Sequence, residues 1–289
     1  MIWPDLFDGD TVNITSTFKD LQLQWQTLSL EWQQQLAIVS LNRPDKLNAI
    51  NYTMFSELKA MARHLRRQRH LRAVILRGEG GQFSSGLDIK SVANSPWQAL
   101  KLLFKWLPGN ANLAQQVSVA WRELPVPVIA VLDGRCYGGG LQIALGADFR
   151  IAANDAELSI MEAKWGLVPD MGGLVSLREI LTKDQALKLS MTAELIPASK
   201  ALQLGLVTEC CSDPLARAQQ LAAELNERSP DALAAIKLSI NRSWNDSRRR
   251  LLARESWSQV RLLLGRNRAN AAVRQGKDPE RAFEPRRNW

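Results

Sequence analysis

Val128-Ile129-Ala130-Val131-Leu132-Asp133-Gly134-Arg135-Cys136-Tyr137-Gly138-Gly139-Gly140-Leu141-Gln142 decides how this chain is read. Five apolar residues in a row, entered through Pro125-Val126-Pro127, predict a strand buried on both faces, of the kind found in parallel sheets. The glycine triplet that follows predicts a helix start at which the backbone can come close to a ligand. Its unpaired N–H groups would be free to meet an oxyanion.

The same grammar recurs on either side. Leu36-Ala37-Ile38-Val39-Ser40-Leu41 and Ala73-Val74-Ile75-Leu76 read as strands, and between them Phe55, Leu58, Ala62 and Leu65 recur at helical spacing over 52–69. Alternation of apolar and polar residues over 21–32 predicts a further strand, joined to 36–41 as a hairpin. Helices are expected at 97–107, at 111–123, from the glycine triplet and near Gly172, with a strand near 148–152. Such alternation predicts a layered α/β protein. From Asp213-Pro214 onward the pattern is helical, with helices expected to Pro230 and over 231–244 and 247–264. Residues 1–20 and 269–289 lack periodicity and are expected to be extended or wrapped against a partner. The expected divisions are therefore an N-terminal extension (1–20), an α/β core (21–212) and a C-terminal helical region (213–289).

With 289 residues, 46% of them hydrophobic and 23% charged, the chain has the composition of an ordinary folded protein. The run 128–132 is the longest apolar stretch without proline, far short of a membrane span. Acids at Asp5, Asp8 and Asp10 stand where a secretory signal would carry bases, so a cytoplasmic protein is expected. Cys136, Cys210 and Cys211 make no disulfide framework, and with only His64 and His70 besides, a metal site has little support. The net charge of +8 is concentrated: residues 61–80 carry six bases against one acid, and 241–289 thirteen against five. Patches of that kind suit an anionic ligand, RNA, an acidic partner or a neighbouring subunit.

A second glycine-containing loop, Gly80-Gly81-Gln82-Phe83-Ser84-Ser85-Gly86-Leu87-Asp88-Ile89-Lys90, also follows a strand, and neither loop fits a nucleotide-binding fingerprint. Taken with Leu41-Asn42-Arg43-Pro44, Leu47-Asn48-Ala49, Ala147-Asp148, Glu162, Gly166-Leu167-Val168-Pro169 and Gly172-Gly173, in that order, the chain resembles the enoyl-CoA hydratase/isomerase (crotonase) superfamily from about residue 35 to 245. The resemblance implies a crotonase-like spiral of ββα units, a C-terminal helical region that assembles homotrimers or homohexamers, and an acyl-CoA thioester substrate. Coenzyme A would be carried as part of that substrate, with no other cofactor.

By motif match, the thioester oxygen would lie between the backbone N–H groups of Leu87 and Gly139, two donors placed where enolate charge develops. Hydratases of the family use two glutamates; the second matches Glu162, but the first position holds Gln142, which cannot exchange a proton at neutral pH. A single-carboxylate isomerisation of an enoyl-CoA is therefore expected ahead of hydration. Asp170 matches a carboxylate of dienoyl-CoA isomerases, or else caps the next helix. Glu162 likewise has a plain reading as a surface or capping acid.

Met161 and Trp165 are expected to line the acyl pocket or pack in the core. Arg43, Ser85 and Lys90 are the candidates for contacts to CoA, the two bases being equally readable as surface charge. Asp88 is expected to orient the oxyanion turn. The stretch from Arg63 to Arg72 offers a reading of another class, RNA binding by a basic helix. It has no interleaved aromatic to stack bases, so a solvated or subunit-facing helix is favoured.

Overall fold

Three apolar runs become adjacent parallel strands, and everything else in the core is arranged by covering their two faces. The computed structural model describes residues 25–89, 91 and 96–289. The expected extension 1–20, the first part of the strand expected over 21–32, and Lys90 lie outside the described residues.

Strand β1 (Leu28–Gln33) turns at Gln34, which adopts a positive φ, into antiparallel β2 (Leu36–Leu41). A short 3-10 turn (Pro44–Lys46) leads to helix α1 (Tyr52–Arg67), whose first turn is capped by the Asn51 side chain accepting from the Met54 N–H. Strand β3 (Ala73–Gly78) then pairs parallel with β2, and β4 (Val128–Leu132) parallel with β3. Helices α2 (Pro96–Leu103) and α3 (Leu113–Arg122) lie between them in sequence. The main sheet is completed by β6 (Phe149–Ala153) and β9 (Glu209–Cys211), in the order β1-β2-β3-β4-β6-β9.

Side-chain alternation along β4 sorts the core. Val128, Ala130 and Leu132 face the larger apolar cluster with Phe55, Leu58 and Trp121, while Ile129 and Val131 face the other side with Ile38, Ile75 and Ile151. That second side is closed by Ala218 and Ala222 of helix α8 (Pro214–Asn226), which starts on an Asp213 cap. The first helix after residue 213 thus belongs to the sheet's own packing.

Only Asp133 and Gly134 separate β4 from β5 (Arg135–Tyr137), which enters a second, three-stranded sheet with β7 (Glu157–Ser159) and β8 (Ile196–Pro197). Helix α4 (Gly139–Ala144) follows directly. The remaining helices are α5 (Gly173–Ile180), α6 (Lys183–Thr192), α7 (Ala198–Gln203), α9 (Pro230–Ser243), α10 (Arg248–Leu263) and α11 (Arg266–Arg274).

A buried lysine ties α9 to the core. The Lys237 ammonium donates to the Asp148 carboxylate at 2.7 Å and to the carbonyls of Trp121 and Val126 at 2.8 and 2.9 Å, while Asp148 also accepts from the Val128 N–H. Lys237→Ala removes the ion partner of that carboxylate and a donor to two carbonyls, and is expected to cost about 3 kcal/mol of unfolding free energy in urea titrations.

The expectation for residues 269–289 is corrected by the structure. Helix α11 continues to Arg274, and its sole buried residue is Asn267, so it offers no apolar period to read. The tail beyond it folds back on its own chain. Asp231 accepts from the Arg287 N–H, the Trp289 indole and Asn267, all at 2.8–2.9 Å. Arg261 lies over the Trp289 ring, 4.1 Å from its centroid. Arg286, 2% exposed, donates from its guanidinium to the Arg66 carbonyl and from its N–H to the Arg69 carbonyl, while its own carbonyl accepts from Arg69 Nε. Arg72 donates to the carbonyls of Asn226 and Arg228. Part of the basic stretch is therefore occupied internally, holding the C-terminal segments in place.

Candidate active site

The two glycine-containing loops meet along a short main-chain ladder. Ser84 donates its N–H to the Arg135 carbonyl and accepts the Tyr137 N–H, and its hydroxyl links the Asn48 carbonyl to the Gly86 N–H. Asn48, fully buried with a positive φ, accepts from the Arg43 N–H and donates to the carbonyls of Glu79 and Gln82. This is the physical content of the Leu47-Asn48-Ala49 motif: one amide side chain closes its own loop and ties it to the loop after β3.

On that frame, the Gly86 carbonyl and the Asp88 N–H are both taken by Ile50, at 2.8 and 3.0 Å. The Leu87 N–H between them has no acceptor among the described residues. Neither does the Gly139 N–H, at the first position of α4, where no intrahelical acceptor exists. Gly86, at φ +96°, brings the loops together: a Cβ there would stand 3.1 Å from the Tyr137 carbonyl oxygen and 3.7 Å from the Gly139 nitrogen. A Cβ on Gly139 would lie 2.7 Å from Met171 Sδ and 3.1 Å from Ile50 Cδ1. Gly139→Ala is therefore expected to displace the flexible ends of Met171 and Ile50 and narrow the space beside the helix start, raising KM several-fold with a smaller effect on kcat in steady-state kinetics.

A cavity of about 120 Å³ opens beside these donors, lined by Ser85, Leu87, Gly139, Met161, Glu162, Trp165 and Asp170 among others. The structure thus gathers most of the residues expected from sequence. Glu162 begins a 3-10 turn (Glu162–Trp165) and is only 9% exposed. Its Oε1 accepts from Gln142 Nε2 at 2.5 Å, and its Oε2 is buried with no partner among the described residues. Burial pushes the Glu162 carboxyl above the ordinary range; the Gln142 hydrogen bond opposes this, and the charge of Asp170 adds to it.

Gln142 cannot turn over. Its Oε1 accepts from the backbone N–H groups of Met171 and Gly173, at 2.9 and 3.2 Å, so its NH₂ must face Glu162. Asp170 sits on the open rim, and burial of its other side raises its pKa as well. Its capping role is overturned, because the N-cap of α5 is Gly172 with no side-chain bond. Glu162 caps nothing either; the N-cap of its own 3-10 turn is Met161.

Trp165 is exposed at the rim, not in the core. Arg43 does not line the cavity. Its guanidinium pairs with Asp88 at 3.2 Å and donates to the Ala49 carbonyl, so it braces the oxyanion loop, where Asp88 also accepts the Ser91 N–H. Lys90, the other basic CoA candidate, is outside the described residues. Sequence reasoning missed Met171, which forms the wall behind Gly139, and Leu167, which reaches a second, apolar cavity of about 230 Å³ with Phe55, Leu102 and Val168. The adjacency of Met171 to Gly172-Gly173 was the available signal. Among the described residues no group of His, Cys, Asp and Glu side chains is placed to hold a metal ion.

A loop pair that offers two unspent amides beside a buried, half-paired carboxylate has the chemistry to stabilise an enolate while a proton is transferred. A family model described as enoyl-CoA hydratase/isomerase matches residues 31–263. The chain is 32% identical over 218 residues to a Bacillus subtilis (strain 168) protein named "Probable enoyl-CoA hydratase", covering 72% of this chain and 80% of that one. It is 31% identical over 216 residues to the human mitochondrial Delta(3,5)-Delta(2,4)-dienoyl-CoA isomerase, covering 72% and 66%. The crystal structure of enoyl-CoA hydratase from Mycobacterium tuberculosis H37Rv matches with a TM-score of 0.78 at 27% identity, over 91% of this chain and 99% of that one. The chain belongs to the enoyl-CoA hydratase/isomerase family.

Proposed function

We propose that this protein is an enoyl-CoA isomerase that moves a 3-enoyl double bond to the 2-position with one catalytic carboxylate. The thioester oxygen accepts from the Leu87 and Gly139 N–H groups. Glu162 Oε2 removes a proton from C2, the electron pair delocalises onto that oxygen through a dienolate, and the same carboxyl returns the proton at C4. Atoms balance within the substrate, so neither water nor a redox partner is consumed, and coenzyme A enters only as the handle of the substrate.

The observation that carries this reading is the locked Gln142 amide. It satisfies one oxygen of Glu162 with a donor that cannot exchange protons, leaving one basic oxygen over the cavity. The apolar second cavity supports an aliphatic acyl chain. The same reading includes assembly into a homotrimer or homohexamer through α9 and α10, which expose Trp244, Leu252, Trp257 and Leu263.

A hydratase reading is favoured by one feature, the exposed Asp170 carboxyl on the rim of the same cavity as Glu162. A paired assay separates the two: isomerisation of 3-enoyl-CoA against hydration of 2-enoyl-CoA over several chain lengths. The isomerase reading expects the first to exceed the second by at least about tenfold, and hydration in excess overturns it. Salt-sensitive RNA affinity lost on neutralising Arg66, Arg67 and Arg69, with acyl-CoA binding kept, would instead support the RNA-binding class.

A further inference from the structure

Helix α2 and the turn that follows present an apolar face that is exposed among the described residues. Trp97, Leu100 and Phe104 recur at i, i+3 and i+7 and are exposed, Trp97 by 74%, and the stripe runs on into Trp106, 85% exposed, and Leu107. The opposite side of the helix is inside at Leu102, 5% exposed, which lines the apolar cavity next to the site; Leu103, itself exposed, lines the cavity beside it. Soluble surfaces seldom expose three aromatics and two leucines together without a use for them.

Charge tells what covers this face. Between Asp88 and Glu123 the sequence has no acid, and the charges on the aromatic segment itself are Lys101 and Lys105. Lys101 follows Leu100 and precedes Phe104 on the same outward side. Tryptophan and phenylalanine on one face, flanked by lysines and free of acids, is the composition of a helix lying in a lipid headgroup layer. Among the described residues no helix is long and apolar enough to cross a bilayer, so the contact is a surface one.

We propose that α2 docks this protein onto an anionic lipid surface, with Trp97, Phe104 and Trp106 entering the headgroup layer and Lys101 and Lys105 pairing with lipid phosphates. Docking there sets the mouth of the apolar cavity, where Leu167 and Val168 are also exposed, against the bilayer. That last step rests on the acyl-CoA reading above; the docking itself does not.

The test is sedimentation of the full chain at low salt with vesicles of phosphatidylglycerol mixed into phosphatidylcholine, compared with phosphatidylcholine alone. Binding to the anionic vesicles is expected to be about thirty-fold tighter, from two lysines near the surface. The Lys101→Glu/Lys105→Glu variant is expected to lose that preference, and Trp97→Ser/Phe104→Ser/Trp106→Ser to lose binding to both vesicle types. Glu162→Gln should bind as the parent does, which separates failure of docking from failure of the catalytic reading. Equal binding to the two vesicle types, no binding to either, or a change in molecular mass by light scattering in the aromatic variant would overturn the proposal; the last would assign the face to a second copy of this chain.

Discussion

Glu162→Gln is expected to lower the rate of 3-enoyl-CoA isomerisation by about three orders of magnitude while leaving acyl-CoA binding within a few-fold. The substituted amide keeps the shape of the side chain, and the Leu87 and Gly139 N–H groups that hold the thioester are untouched. What disappears is the buried, unpaired carboxylate oxygen of Glu162. Single-turnover kinetics with isothermal titration of a saturated acyl-CoA measures both quantities. A loss of less than about tenfold would transfer the proton to Asp170.

The parent enzyme should also show an acidic limb in its pH profile that lies above the ordinary carboxylate range, since burial raises Glu162 and the base must be ionised to act. Stability carries the opposite sign. A carboxyl raised in the folded state binds its proton more tightly there than in the unfolded chain, so stability falls as pH rises from the unfolded pKa through the folded one. Above that window Glu162→Gln is expected to be more stable than the parent, and below it the difference should vanish. Urea titrations across pH 4 to 8 check this. Loss of activity with gain of stability marks a residue kept for chemistry.

Gln142→Glu is the second large effect. The new carboxylate inherits the N–H groups of Met171 and Gly173, but its other oxygen faces Glu162 Oε1 at the 2.5 Å now spanned by a hydrogen bond. Two carboxylates that close must share a proton, and they will titrate as a coupled pair with one step displaced upward. Isomerisation is expected to fall by about tenfold or more, because the Glu162 carboxyl proposed as base then shares a proton with its neighbour and is less often free to take one from substrate. Hydration of 2-enoyl-CoA should rise above the parent's level, because water can then be held between two groups that exchange protons. Isomerisation kept at the parent level would show that Gln142 does not govern the protonation of Glu162.

The parts of the molecule legible in sequence are those written in apolar period and turn residues. Strands at 36–41 and 128–132 and the helix start at Asp213 follow from local chemistry that tertiary packing reinforces. The three-residue strands β5 and β7 are too short to show a period, and α11 shows none because it is polar all round. In the site, Leu87, Gly139, Gln142, Glu162 and Asp170 could be named from motif spacing. The direction of the Gln142 amide could not, since it is decided by two backbone donors some thirty residues away. Arg43 and the basic stretch misled for a common reason: a guanidinium reads as surface charge until the carbonyl or carboxylate that receives it is in view.

The Leu87 and Gly139 N–H groups hang from a ladder made of main-chain atoms, Ser84 bonded to Arg135 and Tyr137, with the Ser84 hydroxyl as a further strut. The gauge of the site is therefore independent of most side chains around it. Lineages of this fold are free to exchange the residues of the cavity wall, and so their acyl chains and even their bases, while inheriting enolate stabilisation unchanged. Selection on such a scaffold retunes what is recognised long before it touches how the carbonyl is held. Directed evolution aimed at Met161, Leu167 and Met171 should accordingly diversify substrates at little cost in chemistry.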